Sequence, residues 1–302
     1  MRIYCSKTVV HFDNTMTFDN PKIIGANHPN SFFDAIAIAV HYPKPIYFLA
    51  RGDAFNKPLV AKFLTALHLI PIYRLSEGKN NLSKNEETFR RCVALLKEKQ
   101  TVLIFSEGLC INEWKLRPLK KGTARLAFLA NQEGVSNLRI QPTNLNYSSF
   151  TKNPKKVVVN FNDEFVISSE EAKQETAFYT AFNNKLKQGL LHNLVIQPVA
   201  NDTTLAKNYN ATKKKIALAI PALIGFVLNR IIYLILKNIA HKKTKNTVFY
   251  DSVLFGLLLL LYPIIVVIIA TTIGIVFNFY VALILFVTFP LSAWSYSQYK
   301  AE

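Results

Sequence analysis

The chain has 302 residues, half of them hydrophobic, and a formal net charge of +17. Such a charge indicates a polyanionic partner: nucleic acid, an anionic membrane surface or phosphorylated small molecules. A mean hydropathy of +0.17 argues against a soluble nucleic-acid binder and favours a membrane. The three cysteines, Cys5, Cys92 and Cys110, are widely spaced and form no CxxC pair, so neither a disulfide framework nor a zinc site is predicted.

The first two thirds of the chain alternate between short apolar runs typical of strands and stretches with helical spacing. Strands are predicted at 22–27, 45–51, 70–74, 101–108, 138–147 and 156–163, and helices at 31–42, 58–70, 85–100, 122–134 and 170–192. The alternation predicts an α/β fold with a central, mostly buried sheet flanked by helices. In such a fold, functional groups gather where the strands end.

The sequence changes character near residue 212, where long apolar runs begin to dominate. We therefore expect a globular domain over residues 1–212 and a membrane-associated helical region over 213–302, with the boundary between residues 205 and 215. Little chain precedes the first predicted strand, so we expect the C-terminal region to anchor the protein.

Three apolar segments in this region, at 216–237, 253–272 and 273–291, are each long enough to cross a hydrocarbon core of about 30 Å. The last two predict a helical hairpin over 253–291 that turns near Thr271 to Gly274. The first segment has lysines beyond both ends, so charge does not orient it. It either spans the membrane or lies in the interface.

A histidine and an aspartate, His28 and Asp34, lie between a predicted strand and a predicted helix. An imidazole, with an unperturbed pKa of about 6.5, can take a proton from an alcohol. A carboxylate hydrogen-bonded to the imidazole would keep it in the required tautomer and so complete a catalytic pair. The residues alone leave two interpretations, a proton-transfer pair or a capped helix start, and favour the second.

Charged residues also follow three other predicted strands. Glu107 and Gly108 close the run at 101–108, and a basic stretch comes next. Arg51 and Arg74 each end an apolar run, where an arginine can face a ligand and bind phosphate with two donors. The basic residues expected near phosphate are Lys115, Arg117 and Lys121. The alternatives without a function are a solvated basic loop after residue 108 and surface ion pairs at Arg51 and Arg74.

The order of these motifs resembles the glycerolipid acyltransferase family, which includes lysophosphatidic acid and glycerol-3-phosphate acyltransferases. The family's four blocks are resembled, in order, by His28 with Asp34, by Arg74, by Phe105-Ser106-Glu107-Gly108 and by Ile140-Gln141-Pro142. The resemblance covers roughly residues 22–147.

Two features depart from the common family pattern. Five residues separate His28 from Asp34, whereas four are usual, and the longer spacing resembles a branch that acylates glycerol-3-phosphate or dihydroxyacetone phosphate. Leu109-Cys110-Ile111 stands where the family usually has Thr-Arg-Ser, so that block lacks its phosphate-binding arginine. One of the nearby basic residues is expected to replace it.

The resemblance implies a direct acyl transfer, with His28 as general base and Asp34 orienting it. The acyl donor would be acyl-CoA or acyl-carrier protein, used as a co-substrate without a metal or other cofactor. The acceptor would be a phosphorylated glycerol, 1-acyl-glycerol-3-phosphate, and the product phosphatidic acid. Arg74 would hold the acceptor phosphate, with Glu107 and Gly108 in the binding site.

Several alternatives remain open at this stage. The acceptor can instead be glycerol-3-phosphate, dihydroxyacetone phosphate or another lysolipid, and the protein can be a non-catalytic binder of anionic membrane lipids. No nucleic-acid-binding module is recognisable. We expect the protein in the cytoplasmic (inner) membrane, with its catalytic domain facing the cytoplasm.

Overall fold

The computed structural model describes residues 3–13, 16–73, 81–167, 174–195 and 209–300. The strands are β1 (Cys5–Phe12), β2 (Lys22–Ala26), β3 (Ile46–Arg51), β4 (Leu69–Ile72), β5 (Thr101–Phe105), β6 (Arg139–Tyr147), β7 (Lys155–Phe161) and β8 (Phe165–Val166). The helices are α1 (Phe32–Ala39), α2 (Pro58–Ala66), α3 (Asn81–Lys97), α4 (Gly122–Gln132), α5 (Glu175–Leu191), α6 (Tyr209–Lys243), α7 (Tyr250–Val276) and α8 (Phe279–Tyr299).

The strands form one mixed sheet in the order β1-β7-β6-β2-β5-β3-β4, with β8 on β6. Every pair is parallel except β6 with β7 and β6 with β8. All five residues of β2 are buried, as expected for an apolar strand covered on both faces. The parallel pairing brings the carboxyl ends of β2, β5, β3 and β4 to one edge, where ligands bind in such sheets.

The predicted α/β class, with a central sheet flanked by helices, is confirmed. Each predicted strand and helix of the first part corresponds to an observed element, with ends that differ by a few residues where the structure describes them. Residue 74 of one predicted strand and residues 170–173 of one predicted helix lie outside the described residues. Two strands were not predicted. β1 pairs in parallel with β7, about 150 residues further along the chain, and β8 has only two residues.

Three C-terminal helices are long and apolar enough to cross a membrane: Lys215–Lys243, Tyr250–Val276 and Phe279–Tyr299. The predicted hairpin exists, but its predicted turn near Thr271 to Gly274 is wrong. The chain turns at Phe277 and Asn278, because the Asn278 side chain accepts a hydrogen bond from the Val281 N–H at 3.0 Å and caps α8. Gly274 lies inside α7, where an added Cβ would come within 2.6 Å of the Ala282 Cβ.

The start of α7 packs against the sheet domain. Tyr250, Leu254 and Phe255 belong to the same buried cluster as Ile24 and Phe33. α6 begins at Tyr209, inside the predicted boundary zone of 205–215, and residues 205–208 lie outside the described residues. The division into two regions near residue 212 stays a prediction.

Candidate active site

The segment that carries His28 leaves the carboxyl end of β2 and is tied to β6. The Asn27 side chain donates to the Leu145 carbonyl at 3.1 Å and accepts from the Leu145 N–H at 2.8 Å. These two hydrogen bonds continue the strand pairing for one more residue through a side chain. The position of His28 is therefore fixed by the sheet.

His28 and Asp34 are in contact. The distance from His28 Nδ1 to Asp34 Oδ2 is 2.9 Å, and the aspartate is fully buried. Asp34 Oδ2 also accepts from the Asn30 N–H at 2.7 Å, and Oδ1 accepts from the Tyr147 hydroxyl at 2.6 Å. Burial raises the pKa of Asp34, and the contacts with His28, Tyr147 and Asn30 oppose that rise.

The five-residue spacing does not prevent this contact, because the loop folds tightly. Ser31 adopts a positive φ of 57°, which a residue other than glycine rarely takes. The neighbouring loop holds the turn in place. Cys110 Sγ accepts from the Ser31 N–H at 2.9 Å, and the Asn112 side-chain amide donates to the Pro29 carbonyl at 2.7 Å.

The imidazole of His28 stacks on the Phe105 ring, with ring centres 3.9 Å apart and planes 12° apart. The His28 side chain is 19% exposed. With Nδ1 donating to Asp34, Nε2 is the nitrogen that can accept a proton. A partly exposed imidazole oriented by a buried carboxylate is the arrangement needed to deprotonate a hydroxyl.

Glu107 and Gly108 follow β5 at the same edge of the sheet. Glu107 is buried, and its Oε1 lies 3.3 Å from the His28 backbone N–H, which donates to it. Burial raises the pKa of Glu107 to about 7. Gly108 has a φ of 69°, a conformation that suits glycine. Burial also raises the pKa of the Cys110 thiol, which argues against Cys110 as a nucleophile.

The predicted phosphate-binding cations do not converge on one point. Lys115 and Arg117 each lie 3.6 Å from the Glu113 carboxylate, and Lys115 is largely exposed. Lys121 is exposed just before α4. Arg51, at the end of β3, forms an exposed ion pair with Asp53. β5 lies between β3 and β2, so these two strands are roughly 10 Å apart. Arg74 lies outside the described residues.

The structure adds a set of polar residues that the sequence analysis did not single out. Asp251, in the first turn of α7, is buried and accepts from the Asn30 side-chain amide at 2.6 Å. It also pairs with Lys155 Nζ at 2.7 Å and accepts from the Tyr4 hydroxyl. The next residue, Ser252, accepts at Oγ from the Phe33 N–H at 3.0 Å.

One signal in the sequence could have identified Asp251. It is the only acidic residue between Asp202 and Glu302, at the start of an apolar run. An acid in such a place needs a partner, because an unpaired buried charge is costly. Tyr147 gave no comparable signal, since a tyrosine in a buried strand is ordinary.

The chain resembles known proteins over its sheet domain. The family model described as Acyltransferase matches residues 7–145. The chloroplastic 1-acyl-sn-glycerol-3-phosphate acyltransferase LPAT1 of Arabidopsis thaliana is 24% identical over 115 residues, which are 38% of this chain and 30% of that protein. The chain thus spans less than a third of the length of this relative.

A solved structure is also similar. The crystal structure of the 1-acyl-sn-glycerophosphate (LPA) acyltransferase PlsC from Thermotoga maritima matches with a TM-score of 0.40 and 18% identity. The match covers 60% of this chain and 71% of that chain.

Proposed function

We propose that the chain is a member of the glycerolipid acyltransferase family, because the family model described as Acyltransferase matches residues 7–145 and the site holds a paired histidine and aspartate. The protein moves a fatty acyl group from an acyl thioester to the free hydroxyl of 1-acyl-glycerol-3-phosphate, which makes phosphatidic acid. The main support for this proposal is the 2.9 Å contact between His28 Nδ1 and the buried Asp34 carboxylate. This contact leaves His28 Nε2 free to face a substrate.

The proposed reaction moves one proton and exchanges one bond. His28 Nε2 takes the proton of the acceptor hydroxyl as its oxygen attacks the thioester carbonyl. A carbon–oxygen bond forms, the carbon–sulfur bond breaks, and the imidazolium returns its proton to the leaving thiolate. Asp34 stabilises the charged imidazolium, as the carboxylate of a catalytic triad does. The reaction includes acyl-CoA or acyl-carrier protein as co-substrate and no other cofactor.

The acceptor phosphate is assigned to the basic residues at the carboxyl edge of the sheet. Lys115, Arg117 and Lys121 follow β5 in the chain, Arg51 is the last residue of β3, and Arg74 follows β4 in the sequence. The ion pairs of Lys115 and Arg117 with Glu113 are long, at 3.6 Å. Glu113 and Arg117 are half-buried and Lys115 is exposed. Ion pairs that are long and open to solvent are weak, so these cations can turn to a phosphate at little cost.

A second acceptor is favoured by one observation. The five residues between His28 and Asp34 resemble the branch that acylates glycerol-3-phosphate or dihydroxyacetone phosphate. An enzyme of that kind attaches the first acyl chain to the glycerol phosphate. A second enzyme would then be needed to attach the second chain and form phosphatidic acid. The catalytic pair would act in the same way on either acceptor.

We place the protein in the cytoplasmic membrane, with the catalytic domain facing the cytoplasm. Three helices that are long and apolar enough to cross a bilayer support the membrane. A lysolipid acceptor partitions into the bilayer, which favours a membrane-bound enzyme. The net charge of +17 favours anionic lipid surfaces, at about 1 kcal/mol for each basic side chain near the surface.

The test is an acyl-transfer assay on the purified full chain in detergent–lipid micelles. Labelled acyl-CoA or acyl-carrier protein is offered with each acceptor in turn. We expect turnover with 1-acyl-glycerol-3-phosphate, and a loss of about 10²- to 10⁴-fold in His28→Ala. The matched control is His11→Ala, which changes an exposed histidine on β1 and should keep full activity.

Two outcomes would contradict the proposal. Equal activity of His28→Ala and the parent would remove the general base from the mechanism. Lipid binding without turnover on any acceptor would show a non-catalytic lipid-binding protein.

A further inference from the structure

A large cleft lies where the C-terminal helices meet the sheet domain. It is open to solvent and is lined by α6, α7, α8 and the turn at Thr151–Pro154 between β6 and β7, and its volume is about 1430 Å³. Pockets for drug-sized molecules usually have about 300–1000 Å³. The cleft therefore has room for a ligand larger than a metabolite.

The cleft is distinct from the catalytic pair. Neither His28 nor Asp34 lines it, whereas Tyr4 and Phe255 do. Phe33, the neighbour of Asp34, packs behind this wall, with ring centres 5.4 Å from Tyr4 and 5.2 Å from Phe255. A layer of aromatic side chains therefore separates the cleft from the catalytic aspartate.

The charged groups of the cleft all have the same sign. Its basic residues are Lys152, Arg230, Lys237, His241, Lys245 and Lys300. None of its described lining residues is acidic, and none of these basic groups forms an ion pair with a described acid. Arg230 and Lys300 lie over the Phe226 and Tyr296 rings, whereas Lys237, His241 and Lys245 follow one another at four-residue spacing near the end of α6. Like charges so close along the chain favour a bound anion, above all phosphate, which lysine binds well.

The rest of the cleft is apolar and aromatic. Leu258, Leu259 and Pro263 come from α7, and Tyr233 and Tyr296 come from α6 and α8. Leu259 is 59% exposed, so the apolar wall continues onto the outer surface of the helices. Tyrosines with an apolar ring and a polar tip are typical of the membrane–water interface.

We propose that this cleft binds an anionic two-chain phospholipid of the surrounding bilayer. The headgroup phosphate lies among the basic side chains, and the acyl chains lie along Leu258, Leu259 and Pro263. A small phosphate compound would leave this apolar wall uncovered, and an uncharged lipid would leave the cations unpaired. The site is additional to the catalytic one, and its occupancy does not depend on acyl transfer.

The test measures lipid retention by the full chain in detergent, using native mass spectrometry and the thermal midpoint. Phosphatidylglycerol and phosphatidylcholine with the same chains are the two probes. The parent is expected to bind phosphatidylglycerol at least ten-fold more tightly. Lys237→Gln/Lys245→Gln, which removes two charges from the cleft, should weaken that binding by about 10- to 30-fold.

A double variant of the same helix region gives the matched control. Lys242→Gln/Lys243→Gln removes two exposed lysines that do not line the cleft, so it should bind phosphatidylglycerol like the parent. Leu259→Trp, which fills the apolar part without a charge change, should also weaken binding. Thermal midpoints without lipid verify that each variant is folded.

Three outcomes would overturn the lipid site. They are an equal loss in the two double variants, an equal affinity for the two lipids, and a phosphatidylglycerol affinity matched by glycerol phosphate, which has no acyl chains. All measurements are repeated in the His28→Ala background. Binding there is expected to be unchanged, so failure of the lipid site and failure of the proposed catalysis give different results.

Discussion

Both oxygens of the Asp34 carboxylate accept hydrogen bonds, and the donor to Oδ1 is the Tyr147 hydroxyl. Tyr147→Phe keeps the ring but leaves that buried oxygen without this partner. The pKa of Asp34 should rise further, because the hydrogen bond from Tyr147 is one of the contacts that lower it. Asp34 must be ionised to support His28, so the acidic limb of the kcat profile should move to higher pH. At pH 7, kcat should fall roughly ten-fold.

The shift of the pH profile separates a role of Tyr147 at the site from a role in packing. Tyr42→Phe is the matched control, because Tyr42 is another buried tyrosine of the same cluster. It should leave the limb in place even if stability falls. A Tyr147→Phe enzyme with the parent's pH profile would contradict the assigned role.

Glu107 predicts a pH dependence of stability. Its pKa is about 7 in the folded protein and about 4.3 in an unfolded chain. Between these values the folded protein keeps a proton that the unfolded chain has released, so Glu107 makes stability fall as pH rises towards 7. Glu107→Gln stays uncharged. It should match the parent at pH 4 and be more stable at pH 8 by about 1–3 kcal/mol.

Thermal unfolding at several pH values measures this difference. Glu133→Gln, which removes a surface carboxylate paired with Lys97, is the control and should show no gain that grows from pH 4 to 8. A Glu107→Gln protein that is less stable than the parent at pH 8 would show that the ionised carboxylate stabilises the loop.

The candidate site could be predicted only in part from the sequence. His28 and Asp34 are close in the chain, and a local pattern predicts their contact. Tyr147 is 113 residues from Asp34, and only the sheet brings the two together. Asn30 could not be predicted as a site residue, because an asparagine in a loop is common. In the structure, its N–H donates to the buried Asp34 carboxylate and its side chain donates to the buried Asp251 carboxylate.

At the level of elements, the first turn of α7 forms part of the catalytic loop's support. Asp251 joins Lys155 of β7 to Asn30 of the loop. Asp251→Asn would leave the buried Lys155 charge unpaired, at a cost of about 3–5 kcal/mol. Asp251→Asn/Lys155→Met removes both charges and should recover much of that stability. Thermal unfolding of both variants measures the coupling.

Activity distinguishes a positioning role of Asp251 from a purely structural one. The double variant still lacks the charged acceptor that holds Asn30, so we expect kcat about ten-fold below the parent with little change in KM. Lys97→Met, which breaks a surface ion pair, is the control and should change neither value. Parent-like kcat in a stable double variant would limit Asp251 to stability.

The strands that could be predicted from the sequence are those with a local apolar pattern, and β1, which was not predicted, has none. After their first residues, Lys22 and Thr101, β2 and β5 are continuous apolar runs, which one-dimensional patterns detect. β1 shows no alternation of buried and exposed residues and pairs with the distant strand β7, so only the assembled sheet defines it. The hairpin turn was misplaced because Thr271 to Gly274 contains the glycine, whereas the capping side chain is Asn278.

At the level of the whole molecule, both ends of α6 lie on the domain side of the hairpin. Lys215 Nζ is 5.5 Å from the centre of the Tyr299 ring, and the rings of His241 and Tyr250 are 5.7 Å apart. Tyr250 belongs to the buried cluster of the sheet domain, and Gln298, next to Tyr299, donates to the Ser6 carbonyl of β1 at 3.4 Å. A spanning helix has its ends on opposite sides, so we infer that α6 does not cross the membrane. Its middle packs beside the hairpin, because Asn229 accepts from the Tyr262 hydroxyl of α7 at 2.7 Å and donates to the Phe289 carbonyl of α8 at 3.4 Å.

Labelling of single cysteines with a membrane-impermeant maleimide tests this topology. Lys215→Cys and Lys243→Cys, near the two ends of α6, should react from the same side as the catalytic domain. Phe277→Cys, at the exposed hairpin turn, should be protected from that side if α7 and α8 cross the bilayer. The parent's labelling is subtracted to correct for native cysteines. Reaction of the two α6 positions from opposite sides would make α6 a third span and place the basic cleft within the bilayer, where an array of charges is costly.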